Sequence, residues 1–297
     1  MQRTQLERKD ARSPASIVAL VLIGLFALSL ILLFLWGVIT SLKTRFDFRN
    51  NMFGLPERWM FSNYVKAFTE LKISIPSSSG GTRDVMMIEM VLYSLLTSII
   101  PEALLVLWTA ICTYTLAKYR FRGRKLIYNV MIVVMVLPIV GNLAAQLEFQ
   151  QSLGVYDELW WQWITAPAVW GGNFLVLYAI YKSISWEYAE AAFMDGAGHH
   201  RVFWSIMLPL SKTTLFVLFL LGFITRWNNY QLSLVYLPSY PTLAYGLYRF
   251  QFMTNDNVSQ LPIQMAANII ACIPTFILFI LFRNKMMGAL TMGGIKG

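Results

Sequence analysis

The residues with the most informative spacing lie in a polar loop between two apolar segments. They are Glu190, Ala191, Ala192, Asp195, Gly196, Ile206, Leu208 and Pro209. Ser185 can cap a short helix there, and Glu187 and Glu190 would then lie near the positive end of the helix dipole. The alanines favour helix and carry little bulk, so that another protein surface can approach closely.

Glycine and proline are expected to bound a second helix in the same loop. Gly196 and Gly198 can end the first helix, since glycine adopts left-handed conformations at little cost. A second helix is predicted over about 199–208, and Pro209 is expected either to break it or to turn it into the next apolar segment. This pattern indicates a rigid docking element for another protein. The alternative is an amphipathic helix that lies on the membrane surface.

Other chemistries find little support in the residue inventory. The two histidines, His199 and His200, supply too few ligands for a zinc site. Cys112 and Cys272 each lie inside an apolar segment and are interpreted as small apolar fillers. A G-x-x-x-x-G-K-[ST] phosphate loop does not occur in the sequence, so the chain cannot hydrolyse ATP by that route. We therefore predict neither catalytic nor metal-binding residues.

The composition is that of a membrane protein, with 57% apolar and 13% charged residues. Long apolar stretches predict an all-α integral membrane protein with six spans. These spans cover residues 17–40, 88–117, 126–147, 163–181, 213–234 and 263–282. The net charge of +9 does not indicate nucleic-acid binding, because the cations cluster at the ends of the spans.

Lysine and arginine in the short loops predict the orientation. Residues 118–125 carry five cations, whereas 148–162 carry three acids and no cation. The first segment is therefore expected in the cytosol and the second outside, which places the Glu190 loop (residues 182–212) and both termini in the cytosol. The external loop 41–87 carries seven cations, against the usual bias, but long loops cross largely regardless of charge.

Two ionisable residues lie inside the spans, where an unpaired charge is costly. Glu102 is about 24 Å from Lys118, and Arg226 is about 21 Å from Lys212, at 1.5 Å per residue. Their similar depth in the outer half of the bilayer is compatible with three arrangements. They can form a structural ion pair, Arg226 can extend to the outer surface, or both can face a polar path.

The Glu190 loop resembles the "EAA" loop of the membrane subunit of bacterial ABC importers. The resemblance extends to residues 114–124, to 223–230 with Trp227 and Asn228, and to the terminus 290–297. Together these segments are similar to the carbohydrate ABC importer permeases, second subunit of the maltose-permease type. The first ninety residues resemble that family only in layout, as a cytosolic tail (residues 1–14), one span and an external loop.

The resemblance implies a multi-pass permease subunit of the bacterial inner membrane, with residues 15–297 forming the transmembrane domain. It implies a second permease subunit, a pair of ATPase subunits that bind ATP and magnesium, and an external solute-binding protein that delivers a saccharide. The loop residues that would contact an ATPase subunit are Glu190, Ala191, Ala192, Asp195, Gly196, Ile206, Leu208 and Pro209. Gly293, Gly294 and Gly297 of the tail 286–297 would reach between the ATPase subunits, and the external segment 236–262 would contact the binding protein.

The nature of the transported solute stays open. Arg226, Trp227, Asn228 and Asn229, with Glu102, are a set suited to hydroxyls or a carboxylate, and we consider them as a lining of the translocation path. In that case an acidic, uronate-type oligosaccharide is an alternative to a neutral one. A secondary transporter is a further alternative, although no internal repeat stands out. A membrane-embedded enzyme would need more intramembrane polar residues.

Overall fold

A computed structural model describes residues 14–76, 81–137, 141–166, 171–252 and 260–293, with side chains up to residue 283. It divides into two compact units, one formed by the residues up to Glu70 together with Phe250–Ile270, the other by Leu71–Arg249 with Ala271–Gly297. Four helices in the described residues are long and apolar enough to cross a membrane. These are Pro14–Ser41, Met87–Lys118, His199–Trp227 and Leu261–Arg283.

The first unit begins with helix α1, Pro14–Ser41, which is the first predicted span. Two short helices follow it, α2 at Arg45–Asn50 and α3 at Ser62–Glu70. Thr44 caps α2, since its hydroxyl accepts the N–H of Asp47 at 3.1 Å. The predicted tail 1–14 lies almost entirely outside the described residues.

The second unit opens with a two-stranded antiparallel hairpin that the sequence did not predict. Strand β1, Lys72–Pro76, pairs with strand β2, Thr82–Met86, and Ile73 lies opposite Val85. Lys72 and Ser74 both bond the carboxylate of Asp84 and hold its pKa below the usual value. The hairpin leads directly into helix α4, Met87–Lys118.

The third and fourth predicted spans are not continuous helices. The third consists of α5, Arg124–Val136, and the start of α6, Leu143–Ser152. The fourth contains the end of α7, Leu159–Thr165, and α8, Gly172–Ser183. Helix α5 ends just before Pro138, as expected for a residue that precedes proline. Gly141 then adopts a left-handed φ of 78°. The count of six membrane-spanning helices stays a prediction.

The Glu190 loop contains helix α9, Glu187–Met194, and the start of the helix His199–Trp227. That second helix comprises α10 (His199–Val202), a π-helical turn (Phe203–Met207) and α11 (Leu208–Trp227). The wider turn places the N–H of Leu208 on the carbonyl of Phe203, so the missing N–H of Pro209 does not interrupt the helix. Of the two alternatives at Pro209, the break does not occur, and the helix continues into the fifth predicted span.

The segment predicted to be external contains a π-helical turn, Leu232–Tyr236, and helix α12, Leu243–Phe250. Helix α13 then runs over Leu261–Gly293. In the core, α4 packs against α8 and against the helix His199–Trp227. A buried cluster joins these helices to the Glu190 loop. It contains Val106, Ala110, Tyr114, Leu177, Tyr181, Ala189, Ala192, Val202, Phe203, Met207 and Leu218.

Candidate functional site: the Glu190 loop and an intramembrane ion pair

Helix α9 of the Glu190 loop starts close to the predicted cap. The N-cap residue is Trp186 rather than Ser185, and its carbonyl accepts the N–H of Ala189 at 2.9 Å. Ser185 still contributes, because its hydroxyl accepts the N–H of Glu187 at 3.3 Å. Glu187 and Glu190 lie in the first turn, where their charge favours the helix dipole.

Gly196 ends helix α9 in the predicted way. It adopts a left-handed φ of 80°. Its N–H bonds to the carbonyl of Phe193 at 3.0 Å, and the N–H of Ala197 bonds to the carbonyl of Ala192 at 2.9 Å. These two bonds form a Schellman motif, which needs a left-handed residue at the position of Gly196. Gly198, in contrast, has an ordinary φ of −79°.

The predicted site residues divide between two faces of the loop. Glu190, Ala191, Asp195 and Gly196 are exposed, as is Pro209 on the following helix. Ala192, Ile206 and Leu208 belong to or pack against the buried cluster of the loop, so their small or apolar side chains serve the chain's own core.

The exposed face also carries two apolar side chains that the sequence reasoning missed. Met194 is 88% exposed and Tyr188 is 55% exposed. Met194 lies three residues after Ala191 and seven after Glu187, and Tyr188 lies three before Ala191. This is the spacing of one helix face, and it was the signal in the sequence that could have identified the two side chains. The face is thus a small apolar surface bordered by the carboxylates of Glu187, Glu190 and Asp195.

An aromatic box fastens the Glu190 loop to the end of α4. Tyr119 lies edge-on to Trp186 and to His199, with ring centroids 5.8 and 5.4 Å apart. The Tyr119 hydroxyl is 2.9 Å from Nδ1 of His199, and Phe193 packs on both Trp186 and His199. Lys118 adds a hydrogen bond from its Nζ to the carbonyl of Ile184. The loop is therefore attached at both of its helices to one end of α4.

The two intramembrane charges form an ion pair. Nε of Arg226 donates to Oε2 of Glu102 at 2.8 Å. Glu102 is almost fully buried, while the side chain of Arg226 is 30% exposed. Gly222 lies one turn before Arg226 and provides the space for the carboxyl group, since a Cβ at Gly222 would collide with it. The structural pair, one of the three arrangements left open by the sequence, is the one that forms.

The neighbouring polar residues each have a partner within the chain. Trp227 stacks on Phe223 and donates from Nε1 to the carbonyl of Ala271 at 3.1 Å. Asn228 donates to the carbonyl of Ile224 at 2.8 Å, and Asn229 accepts the N–H of Leu232 at 3.2 Å. Trp227, Asn228 and Asn229 thus anchor or terminate α11. Their role as a lining of a translocation path stays a hypothesis.

An acidic residue outside the predicted site organises the segment that is predicted to be external. Asp157 adopts a left-handed φ of 63°, which is uncommon for a residue other than glycine. Its N–H bonds to the carbonyl of Tyr236 at 3.2 Å, and its carboxylate accepts the N–H of Ser239 at 3.0 Å. No sequence pattern around Asp157 predicts this role. Gly294 and Gly297 lie outside the described residues, and Gly293 is the last residue of α13.

We expect Gly196→Ala to loosen the end of helix α9. A Cβ in the left-handed region costs about 1 kcal/mol, which would speed hydrogen exchange of the Ala197 amide about fivefold. The matched control is Gly198→Ala, which places the same Cβ in ordinary backbone with open space around it. Equal exchange rates in the two variants, measured by mass spectrometry, would contradict the Schellman assignment.

We expect Glu102 and Arg226 to depend on each other for stability. Removing one charge leaves the other uncompensated, which should cost about 3 kcal/mol, the lower end for a buried pair because Arg226 is partly exposed. The single variants Glu102→Gln and Arg226→Gln and the double variant form a mutant cycle, measured by unfolding of the purified protein in detergent. The double variant should lose less stability than the two single losses together. Additive losses would mean that the two charges do not interact.

Gly222→Ala should destabilise the protein although alanine favours helix, because the new Cβ displaces the carboxyl group of Glu102. The control is Gly24→Ala in helix α1, where nothing lies within 4 Å of the added Cβ. The same unfolding assay should show a lower stability for Gly222→Ala and no loss of stability for the control. A Gly222→Ala variant as stable as the control would refute the proposed fit.

Comparison with known proteins identifies the family of this chain. The family model "Binding-protein-dependent transport system inner membrane component" matches residues 106–290. The maltodextrin transport system permease of Bacillus subtilis is 32% identical over 68% of this chain and 74% of its own length. The diacetylchitobiose uptake permease of Streptomyces coelicolor is 24% identical over 98% of this chain and 93% of its own length.

The fold is also similar to that of a solved structure. A chain in the crystal structure of a bacterial ABC transporter involved in the import of the acidic polysaccharide alginate superposes with a TM-score of 0.75. The superposition covers 91% of this chain and 95% of the other, at 21% sequence identity. The family match and the long apolar helices indicate a multi-pass protein of the inner membrane. The resemblance to importer permeases is thereby confirmed, and the chain belongs to the family of binding-protein-dependent transport system inner membrane components.

Proposed function

We propose that this chain forms half of the translocation pore of an ATP-driven saccharide importer. The observation that carries the proposal is the exposed face of α9, which presents Glu190 and Ala191 on a loop held firmly against the membrane helices. Named relatives transport maltodextrin, diacetylchitobiose and other oligosaccharides, which supports a saccharide as the solute. Family members are transport components rather than enzymes.

The partner of the exposed face would be an ATPase subunit with a matching cleft. Met194 and Tyr188 are the side chains to be buried there, and full burial of one such side chain contributes about 1.5 to 3 kcal/mol. The carboxylates of Glu187, Glu190 and Asp195 surround these two side chains, so basic groups on the rim of the cleft would complement their charge. Gly196 ends helix α9 directly after these residues, before the chain continues into the helix that packs in its own core.

ATP and magnesium would bind to the ATPase partner rather than to this chain. The sequence holds no phosphate loop of the G-x-x-x-x-G-K-[ST] type, so energy has to arrive through protein contacts. A pair of ATPase subunits would serve this chain and a second, homologous permease subunit. Gly293, Gly294 and Gly297 of the tail are proposed to contact the ATPase pair. An external binding protein would deliver the saccharide, with both termini of this chain in the cytosol.

Movement at the ATPase would reach the pore through two helices. The aromatic box attaches α9 and His199 to the end of α4, and the helix that starts at His199 continues to Trp227. Farther along the same two helices, in the middle of α4 and near the end of α11, lies the Glu102–Arg226 pair. We therefore propose that the Glu190 loop, α4 and the helix His199–Trp227 move as one body.

A neutral saccharide is the better fit to the charges in the spans. Arg226 is compensated by Glu102, so the pair offers no net positive charge to an acidic sugar. Trp227, Asn228 and Asn229 already make the hydrogen bonds described above. A saccharide would contact only those atoms of the three side chains that take no part in these bonds. The six predicted spans, with the third and fourth each built from two helices, would form the membrane part of the half-pore.

The docking proposal is tested by placing a charge on the apolar part of the exposed face. Met194→Asp in the co-expressed transporter should prevent the ATPase subunit from co-purifying with this chain and should abolish ATP-driven saccharide uptake in vesicles. Ser183→Asp adds the same charge to an exposed residue of α8 and should leave both intact. Normal co-purification and uptake with Met194→Asp would contradict the proposal, as would saccharide transport by this chain alone.

A further inference from the structure

Helix α1 shows where the membrane ends along the first unit. Every residue from Ile17 to Leu35 is exposed within the chain. This stretch spans about 28 Å at 1.5 Å per residue, close to the roughly 30 Å of a bilayer hydrocarbon core. Burial starts directly after it, at Gly37, and is complete from Thr40 to Lys43. The end of the apolar core therefore lies near Trp36.

The residues that bury the end of α1 fold back along it. We call residues 44–68 the collar. Nε1 of Trp36 donates to the carbonyl of Met52 at 3.1 Å, and the N–H of Met60 bonds to the carbonyl of Leu42 at 2.8 Å. The amide of Asn63 donates to the carbonyls of Ser41 and Lys43, each at 2.8 Å.

A fully buried lysine holds the collar at that position. Nζ of Lys43 bonds the carbonyl of Asn51 at 2.5 Å, next to the carbonyl of Met52 that Trp36 bonds. Trp36 lies about 8 Å along the helix from Ser41, at 1.5 Å per residue. The collar thus reaches back from the end of α1 to the level at which the exposed apolar stretch stops.

The surface of the collar combines large apolar side chains with cations. The exposed apolar residues are Phe46, Met52, Phe53, Leu55, Trp59, Phe61, Val65 and Phe68, with Phe53 as much as 80% exposed. Arg49, Arg58 and Lys66 are exposed in the same segment. A soluble surface rarely shows so many exposed aromatic groups. Aromatic rings beside lysine and arginine are typical of the headgroup region of a membrane.

We propose that the collar is a binding site for anionic phospholipids of the leaflet that surrounds the end of α1. Phe53 and Trp59 would enter the boundary between headgroups and acyl chains, and Arg49, Arg58 and Lys66 would bind phosphate groups. The occupant is a lipid rather than free phosphate, because the apolar side chains need acyl chains to cover them. The collar continues the exposed apolar surface of α1, whose length matches the bilayer core, and this favours lipid over another protein.

This site also accounts for a feature that the orientation left unexplained. The external loop carries seven cations, against the usual preference for the cytosolic side. Four of those cations, Arg45, Arg49, Arg58 and Lys66, lie in the collar, and the last three are the ones proposed to gain from anionic headgroups. Their positions then follow from lipid binding rather than from topology. Lipid binding by the collar does not depend on ATPase docking by the Glu190 loop, so one proposal can be refuted while the other holds.

The depth of the collar can be measured in the assembled transporter. A nitroxide is placed at Leu55→Cys, with Cys112 and Cys272 replaced by alanine, in vesicles of equal parts phosphatidylglycerol and phosphatidylcholine. We expect collisions with oxygen to exceed those with a water-soluble nickel chelate, at a depth near the headgroup boundary. Leu25→Cys, in the middle of the exposed stretch of α1, serves as the calibration for the bilayer interior.

Two outcomes of the depth measurement would overturn the proposal. Dominant collisions with the nickel chelate would place the collar in water. Exclusion of both reagents would mean that another protein, such as a partner subunit or a binding protein, covers it. The inference stands only if the label contacts lipid.

The charge requirement is tested with the same labelling site. A fluorophore at Leu55→Cys is quenched by spin-labelled phosphatidylglycerol or phosphatidylcholine, and the ratio reports local enrichment of the anionic lipid. The enrichment should fall about fivefold for each arginine replaced in Arg49→Gln and Arg58→Gln. Arg49→Lys with Arg58→Lys keeps both charges and should preserve it. Equal enrichment in the glutamine and lysine variants would refute phosphate binding.

Discussion

The packing of α4 against the helix His199–Trp227 is the contact on which the second unit depends. Inside a bilayer no water is available to satisfy polar groups, so a charge in a span must find its partner within the protein. Glu102 meets this requirement through Oε2, which pairs with Arg226 in the space over Gly222, while its buried Oε1 has no hydrogen-bond partner among the described residues. The three residues fix both the register and the distance of the two helices. Any sliding of one helix along the other would separate the pair and leave a buried carboxylate alone.

The Glu190 loop lies at the Lys118 end of α4, away from the Glu102–Arg226 pair in the middle of that helix. Hydrogen bonding of Tyr119 to His199, and aromatic packing of Trp186 and Phe193 around them, attach the loop to α4. Ala189 and Ala192 then face the core, which turns Glu190, Ala191 and Met194 outward. The direction of the exposed face is therefore set by the chain's own packing. An ATPase partner would meet a surface that is already formed, which lowers the entropic cost of docking.

Much of this arrangement could be predicted from local sequence. The helix at Glu190 and its end at Gly196 follow from rules about single residues or short spacings, whereas the pairing of Glu102 with Arg226 was one of three arrangements that the sequence left open. The orientation of Ala192 and the exposure of Met194 could not, because they depend on tertiary packing with Tyr119 and Phe203. The sequence left open whether Pro209 breaks the helix or leads it into the next span, because the π-helical turn before the proline follows from no local rule. The left-handed Asp157 is held by contacts with Tyr236 and Ser239, far away in the chain, that no local pattern encodes.

The proposal that the Glu190 loop and the two helices move as one body is tested most directly by a distance measured within this chain. Spin labels at Ala191→Cys, on the exposed face of α9, and at Thr225→Cys, on the exposed side of α11 near its outer end, report the length of the body by double electron–electron resonance. Cys112 and Cys272 are replaced by alanine in this variant. Rigid movement predicts the same distance distribution in the ATP-free transporter and in the transporter trapped with ATP and vanadate. A shift of the distribution by several ångströms between the two states would show that the helix bends, at the π-helical turn or elsewhere, and would contradict the proposal.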